Sequence, residues 1–95
     1  MTTVTDGPQT LTAPHPELRL MSLTPRELEV TGLVAHGLSN EEIARALHIA
    51  PTTAKTHVNR ALSKTFCRDR AQLVVLAYEA RLVRVGEYRQ PLYRG

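Results

Sequence analysis

The sequence predicts an all-α fold: a compact four-helix domain containing a helix-turn-helix, with a flexible N-terminal arm before it and a short tail after it. Three observations carry that expectation. From Leu23 onwards a Ser, Thr or Asp is three times followed three residues later by Glu or Gln, at Thr24–Glu27, Ser39–Glu42 and Asp69–Gln72, the pattern by which a side chain closes the first turn of a helix. Apolar residues then recur at helical spacing after each start. The chain has 95 residues, enough for one small core and no second domain.

The elements follow in order. Residues 1–22 are rich in Thr and Pro, with Pro8, Pro14 and Pro16. Proline at that density removes backbone donors and opposes helix, so this stretch reads as an arm or linker without helical period. Thr24 caps a first helix at about Pro25 to His36, with Pro25 in the first turn and Gly37 just past the end. Ser39 opens a short second helix, about Asn40 to Leu47. His48-Ile49-Ala50 forms a tight turn, with Ile49 pointing inward, and Pro51 starts a third helix running to about Thr65. There Ala54, Val58, Ala61 and Leu62 share one face. Two helices joined this closely form a helix-turn-helix unit. A fourth helix runs from about Arg70 to Leu82. Its Leu73, Leu76, Ala77 and Ala80 lie on one side, and its Ala71, Val75, Tyr78 and Leu82 lie on the other. A terminal helix of a small domain buries one side, which leaves the second as a candidate interface. The domain is thus expected over residues 23–85, with a mobile basic tail over 86–95.

Composition narrows the function. Aromatic residues are 4% of the chain and Trp is absent, so the core is aliphatic. The longest apolar run, Leu73 to Tyr78, is far short of the ~20 residues of a membrane span. With no charged-then-apolar leader and a single Cys, the sequence fits a cytoplasmic protein with no membrane association. The net charge of +3 understates the charge pattern. Residues 51–70 carry Lys55, Arg60, Lys64, Arg68 and Arg70 against Asp69 alone, a net +4, whereas residues 24–50 are acidic. Like-sign charge on one element is the footprint of a polyanion-binding surface.

The third helix shows what that surface offers. Opposite Ala54, Val58 and Leu62 it presents Thr52, Thr56, Asn59, Arg60 and Ser63, flanked by Lys55 and Lys64, with Thr53 and His57 nearby. No carboxylate occurs from Pro51 to Arg68. A merely solvated helix mixes Glu with Lys at i,i+4; this one has no Glu. Lys, Asn and Thr match major-groove donors, acceptors and the thymine methyl, and cations on the shoulders suit phosphates. The expected partner is double-stranded DNA.

The stretches LTPRELEV, GLSNEEIARALHIA, PTTAKTHVNRALSK and RDRAQLVVLA, in unbroken order from Leu23 to about Val83, resemble the LuxR/NarL-type helix-turn-helix domain of bacterial transcription regulators. The resemblance implies that the third helix reads DNA and that the fourth forms a two-fold dimer, expected to be weak without DNA. It places base contacts on Thr52, Lys55, Thr56 and Asn59. Backbone contacts fall on Ser39, Asn40, Thr53, His57, Arg60 and Lys64, and the local positive charge adds Arg68. Dimer positions fall on Ala71 and Val75, the side that the helical wheel leaves unburied together with Tyr78.

The chain also departs from the family pattern. Ala50 stands where Ser or Thr caps the third helix, a loss of about 1 kcal/mol. Ala54 and Ala61 replace Val and Ile, and Thr65-Phe66-Cys67 replaces Leu-Gly-Val. Phe66 is expected to fill the space left by the smaller residues. Arg81 replaces a Gly, so the fourth helix is expected to continue to about Val83.

Four His residues show no metal spacing and one Cys cannot anchor a zinc site. Cys67 falls at a core position, which makes it a buried thiol rather than a nucleophile. Glu27 and Glu42 are accounted for by capping. No enzyme, cofactor or metal is expected. The rival to operator binding is a protein-interaction module of the same fold, using the fourth helix to capture another regulator or RNA polymerase. Residues 1–22 are too short for a receiver or ligand-binding domain, so the chain is expected to be either a stand-alone regulator, the favoured reading, or a fragment of a longer one.

Overall fold

Every long helix but one begins where a side chain can close its first turn. The computed structural model describes residues 15–86, which form α1 Pro16–Leu20, α2 Pro25–Ala35, α3 Asn40–Leu47, α4 Pro51–Lys64 and α5 Arg70–Glu79, with no strand among the described residues. At α2, Thr24 Oγ1 accepts the Glu27 N–H at 3.1 Å and Glu27 Oε1 accepts the Thr24 N–H at 2.9 Å. At α3, Ser39 and Glu42 repeat the exchange at 3.1 and 2.8 Å. At α5, Asp69 accepts the Gln72 N–H at 3.0 Å, but Gln72 reaches one residue further back, to the Arg68 N–H at 2.7 Å. Of the four longer helices only α4 starts without a side-chain cap, at Ala50; the short α1 also lacks one, at His15.

The ends are as specific as the starts. Gly37 follows α2 with φ 93°, and His48 closes α3 in the left-handed region at φ 58°. That turn sends the chain into α4 and lays Ile49 against the core. The core forms where α2 packs on α4 and α5, and α3 packs on α4. Val30, Val34, Ile43, Val58, Leu73 and Leu76 are buried there. Each contributes about 1.5–3 kcal/mol by leaving water. Ala54 and Ala61 are fully buried on the inner face of α4, where small side chains let α2 and α3 approach closely. A second cluster joins Ala35, Ala77 and Val83, with Tyr78 and Leu82 packed against it.

Four expectations from the sequence change. Residues 16–20 are helical, although the Pro-rich stretch reads as an unstructured arm: Pro16 sits in the first turn, where its missing N–H is harmless. α1 then docks through Arg19, which donates to the Thr65 carbonyl from both Nε, at 2.9 Å, and Nη2, at 2.6 Å. The last helix stops at Glu79 rather than continuing to Leu82 or Val83, because Arg81 adopts φ 61° and turns the chain. Phe66 fills no space in the core. It too is left-handed, at φ 62°, and the residue is 68% exposed. Both residues, which stand where the family pattern has Gly, adopt the left-handed backbone without it. That conformation disfavours a non-glycine residue by about 1–2 kcal/mol. Finally, Tyr78 is half-buried, its hydroxyl 3.5 Å from the Ala35 carbonyl. The expectations for residues 1–14 and for the tail beyond Gly86 lie outside the described residues.

Candidate nucleic-acid interface

The helix-turn-helix of α3 and α4 presents one polar, cationic face. Thr52, Lys55, Thr56 and Asn59 are all exposed. Their i, i+3, i+4, i+7 spacing aligns them over about 10 Å of helix axis. The Thr56 hydroxyl donates to the Thr52 carbonyl at 3.0 Å, so the residue turns its methyl and lone pairs outward rather than its proton. Lys55 and Asn59 supply the donors, and Asn59 also accepts. Arg60 is exposed beside them, as are Thr53 and Arg68, and Arg45 is exposed on α3. His57 is half-buried, and its Nδ1 meets no hydrogen-bond partner among the described residues.

Ser39 and Asn40 are held by bonds that fix what each has left to give. Ser39 Oγ is an acceptor from Glu42 N–H, which leaves its O–H to donate. Asn40 Oδ1 accepts from Arg70 Nη1 at 2.8 Å, while Arg70 Nη2 donates to the Leu38 carbonyl. The amide NH2 of Asn40 is thereby turned into the outward donor. Arg70 is a positioning residue that the sequence reading passed over. Its only sequence signal is a cation in the first turn of a helix, where the macrodipole disfavours it.

Lys64 stands apart from this face. Its Nζ lies 2.8 Å from Glu27 Oε1, on a carboxylate whose side chain is 3% exposed. The hydrogen bond from Lys64 is the main cause that holds the Glu27 carboxyl below its ordinary range. The Thr24 N–H and the Lys64 charge add to it, against the opposing push of burial. Lys64 thus ties the end of α4 to the start of α2. The same end receives Arg19 at Thr65, and Ser22 Oγ donates to the Lys64 carbonyl at 3.4 Å.

On α5, Ala71 and Val75 are exposed beside Phe66, while Tyr78 is turned towards the domain. Among the described residues no group of three His, Cys, Asp or Glu side chains is placed to hold a metal ion, and no helix is long and apolar enough to cross a membrane. Cys67 is buried, as its core position requires.

Residues 21–77 match the family of bacterial regulatory proteins, luxR family. The chain belongs to that family. Three relatives, the response regulator proteins VraR of Staphylococcus aureus, Staphylococcus epidermidis and Staphylococcus saprophyticus, are each 49% identical over 61 residues, covering 64% of this chain and 29% of theirs. The solved structure of full-length FixJ from B. japonicum superposes with a TM-score of 0.62 at 35% identity, covering 70% of this chain and 32% of that one. The chain therefore spans about a third of the length of the proteins it matches. As a luxR-family domain it has the helix-turn-helix type that serves DNA-binding transcription regulation, and it is not an enzyme.

Proposed function

We propose that this luxR-family chain is a sequence-specific DNA-binding transcription regulator of the bacterial cytoplasm, working on paired half-sites as a dimer that is weak off DNA. α4 enters the major groove, where Thr52, Lys55, Thr56 and Asn59 address base edges. Ser39, Asn40, Thr53, His57, Arg60 and Arg68 contact the sugar-phosphate backbone. The Ala71 and Val75 side of α5 forms the two-fold contact, with Tyr78 at its edge. The observation that carries this reading is the outer face of α4: donors, acceptors and cations all exposed, with no carboxylate between Pro51 and Arg68.

Lys64 joins these backbone contacts: its ammonium donates to Glu27 and keeps further N–H donors for a phosphate. Selection of bound sequences from a random duplex pool tests binding, site and half-site spacing together. On the selected duplex, Lys55→Ala is expected to relax base preference. Arg60→Ala is expected to weaken binding uniformly and to reduce the slope of log affinity against log salt by about one. A pool that yields no enriched sequence at low salt would instead favour the protein-interaction module, with RNA polymerase or another regulator as partner.

A further inference from the structure

Of the side chains exposed on the outer face of α4, one has already committed its proton. The Thr56 hydroxyl donates to the Thr52 carbonyl at 3.0 Å, although the residue is exposed and water could accept the same proton. Thr65 makes the equivalent bond to the Ala61 carbonyl at 2.7 Å, but Thr65 is fully buried and has no water to turn to. Burial accounts for the bond at Thr65 and not for the one at Thr56. A helical threonine divides between two side-chain rotamers, and this bond selects one of them. The neighbours on the same face differ in what they offer. Lys55 carries donors only, and Asn59 carries a donor and an acceptor. Thr56 is left with a methyl group and acceptor lone pairs.

We infer that Thr56 selects a thymine, its methyl group packed on the C5-methyl of that base in the major groove. This rests on the reading of α4 as the recognition helix, and adds to it the base that one side chain requires. The choice follows from what each base pair presents. Guanine shows two acceptors, O6 and N7, and cytosine shows one donor, N4–H2. Thr56 has no proton left for guanine, and acceptors buried against acceptors stay unsatisfied on both sides. Cytosine can bond to the lone pairs but gives the methyl group no apolar partner. The A·T pair alone carries both an apolar methyl, on thymine, and an N–H donor, on adenine N6. A threonine with a free proton is compatible with any pair; the bond to Thr52 removes that tolerance. Lys55, built of donors, suits the opposite case, the acceptors of guanine. Adjacent residues of one helix thus ask for different base pairs.

The test uses the full 95-residue chain and the duplex it enriches from a random pool. Each thymine of the half-site is replaced in turn by uracil, which keeps the pairing and deletes only the methyl group. Affinity is read by fluorescence anisotropy. Wild type is expected to lose about fourfold at one thymine, the worth of one buried methyl. Thr56→Ser keeps the hydroxyl and deletes the methyl, and is expected to bind the thymine and uracil duplexes equally at that position. Thr56→Val keeps an outward methyl and deletes the hydroxyl, and is expected to retain the preference for thymine. Each result is a ratio for one protein on two duplexes, so a change in fold stability does not imitate it. If no thymine is sensitive in wild type, or Thr56→Ser keeps the wild-type ratio at every thymine, the assignment is overturned while α4 still reads the duplex. Loss of the preference in Thr56→Val alone makes the hydroxyl the reader and overturns it equally. If the pool enriches no duplex, the reading of α4 fails and the assignment with it.

Discussion

The two ends of α4 are built on opposite plans. Its N-terminal end, which leads into the proposed groove contact, has no side-chain cap at Ala50, and Pro51, Thr52 and Thr53 are all exposed. Its C-terminal end is fastened four ways. Arg19 and Ser22 donate to the last carbonyls, Lys64 pairs with Glu27, and the Thr65 hydroxyl donates to the Ala61 carbonyl at 2.7 Å. Cations at a helix C-terminus also favour its dipole. The difference teaches where rigidity is placed. The N-terminal end leaves its hydroxyls exposed, and the orientation of the helix is imposed from its opposite end.

The largest expected effect comes from breaking the fastened end at its buried pair. Lys64→Ala leaves the Glu27 carboxylate buried beside the Thr24 N–H alone. Discounted for the exposure of the lysine, it is expected to lower unfolding free energy by about 2 kcal/mol in urea titration. The pH dependence follows with a definite sign. The folded-state pKa of Glu27 is depressed, so its contribution is complete above the ordinary glutamate value and lost as pH falls through the folded value. The stability gap between wild type and Lys64→Ala should therefore narrow on acidification. A gap that widens would contradict the pair.

Arg19→Ala removes two hydrogen bonds to one carbonyl and is expected to cost about 1–1.5 kcal/mol, measured the same way. It should also raise amide hydrogen exchange at Thr65 and Cys67 with no change at Thr52. The smallest change acts on the open end. Ala50→Ser supplies the missing cap and should raise stability by about 0.5–1 kcal/mol, seen as a higher melting temperature. If the bare end serves the ligand, the gain should not be matched by tighter binding to the selected duplex.

Much of this arrangement was legible in the sequence, and most of what was not shares a cause. Thr24–Glu27, Ser39–Glu42, the missing cap at Ala50 and the stripe Ala54, Val58, Ala61 are local patterns, set by neighbours within one or two turns. The exposed face of Thr52, Lys55, Thr56 and Asn59 follows from that stripe by elimination. Arg19 on Thr65, Lys64 on Glu27 and Arg70 on Asn40 join positions 46, 37 and 30 residues apart, and no periodicity announces them. Lys64 thus read as a backbone-contacting cation with no partner inside the domain, and residues 16–20 as linker. Phe66 and Arg81 misled differently. A residue that lacks glycine's freedom suggests a changed turn, yet both residues adopt the left-handed backbone and leave their side chains exposed.

These long spans bear on the order in which the domain can assemble. The caps of α2, α3 and α5 close within four residues and form on the time scale of a single helical turn. The bonds that fix the tail of α4 must close loops ten times longer, against chain entropy that short helices cannot repay. The open end of α4 can become helical early, yet its aim is set only once residues 64–70 have met segments from the beginning of the domain. A chain halted before that point holds a formed helix with no fixed bearing.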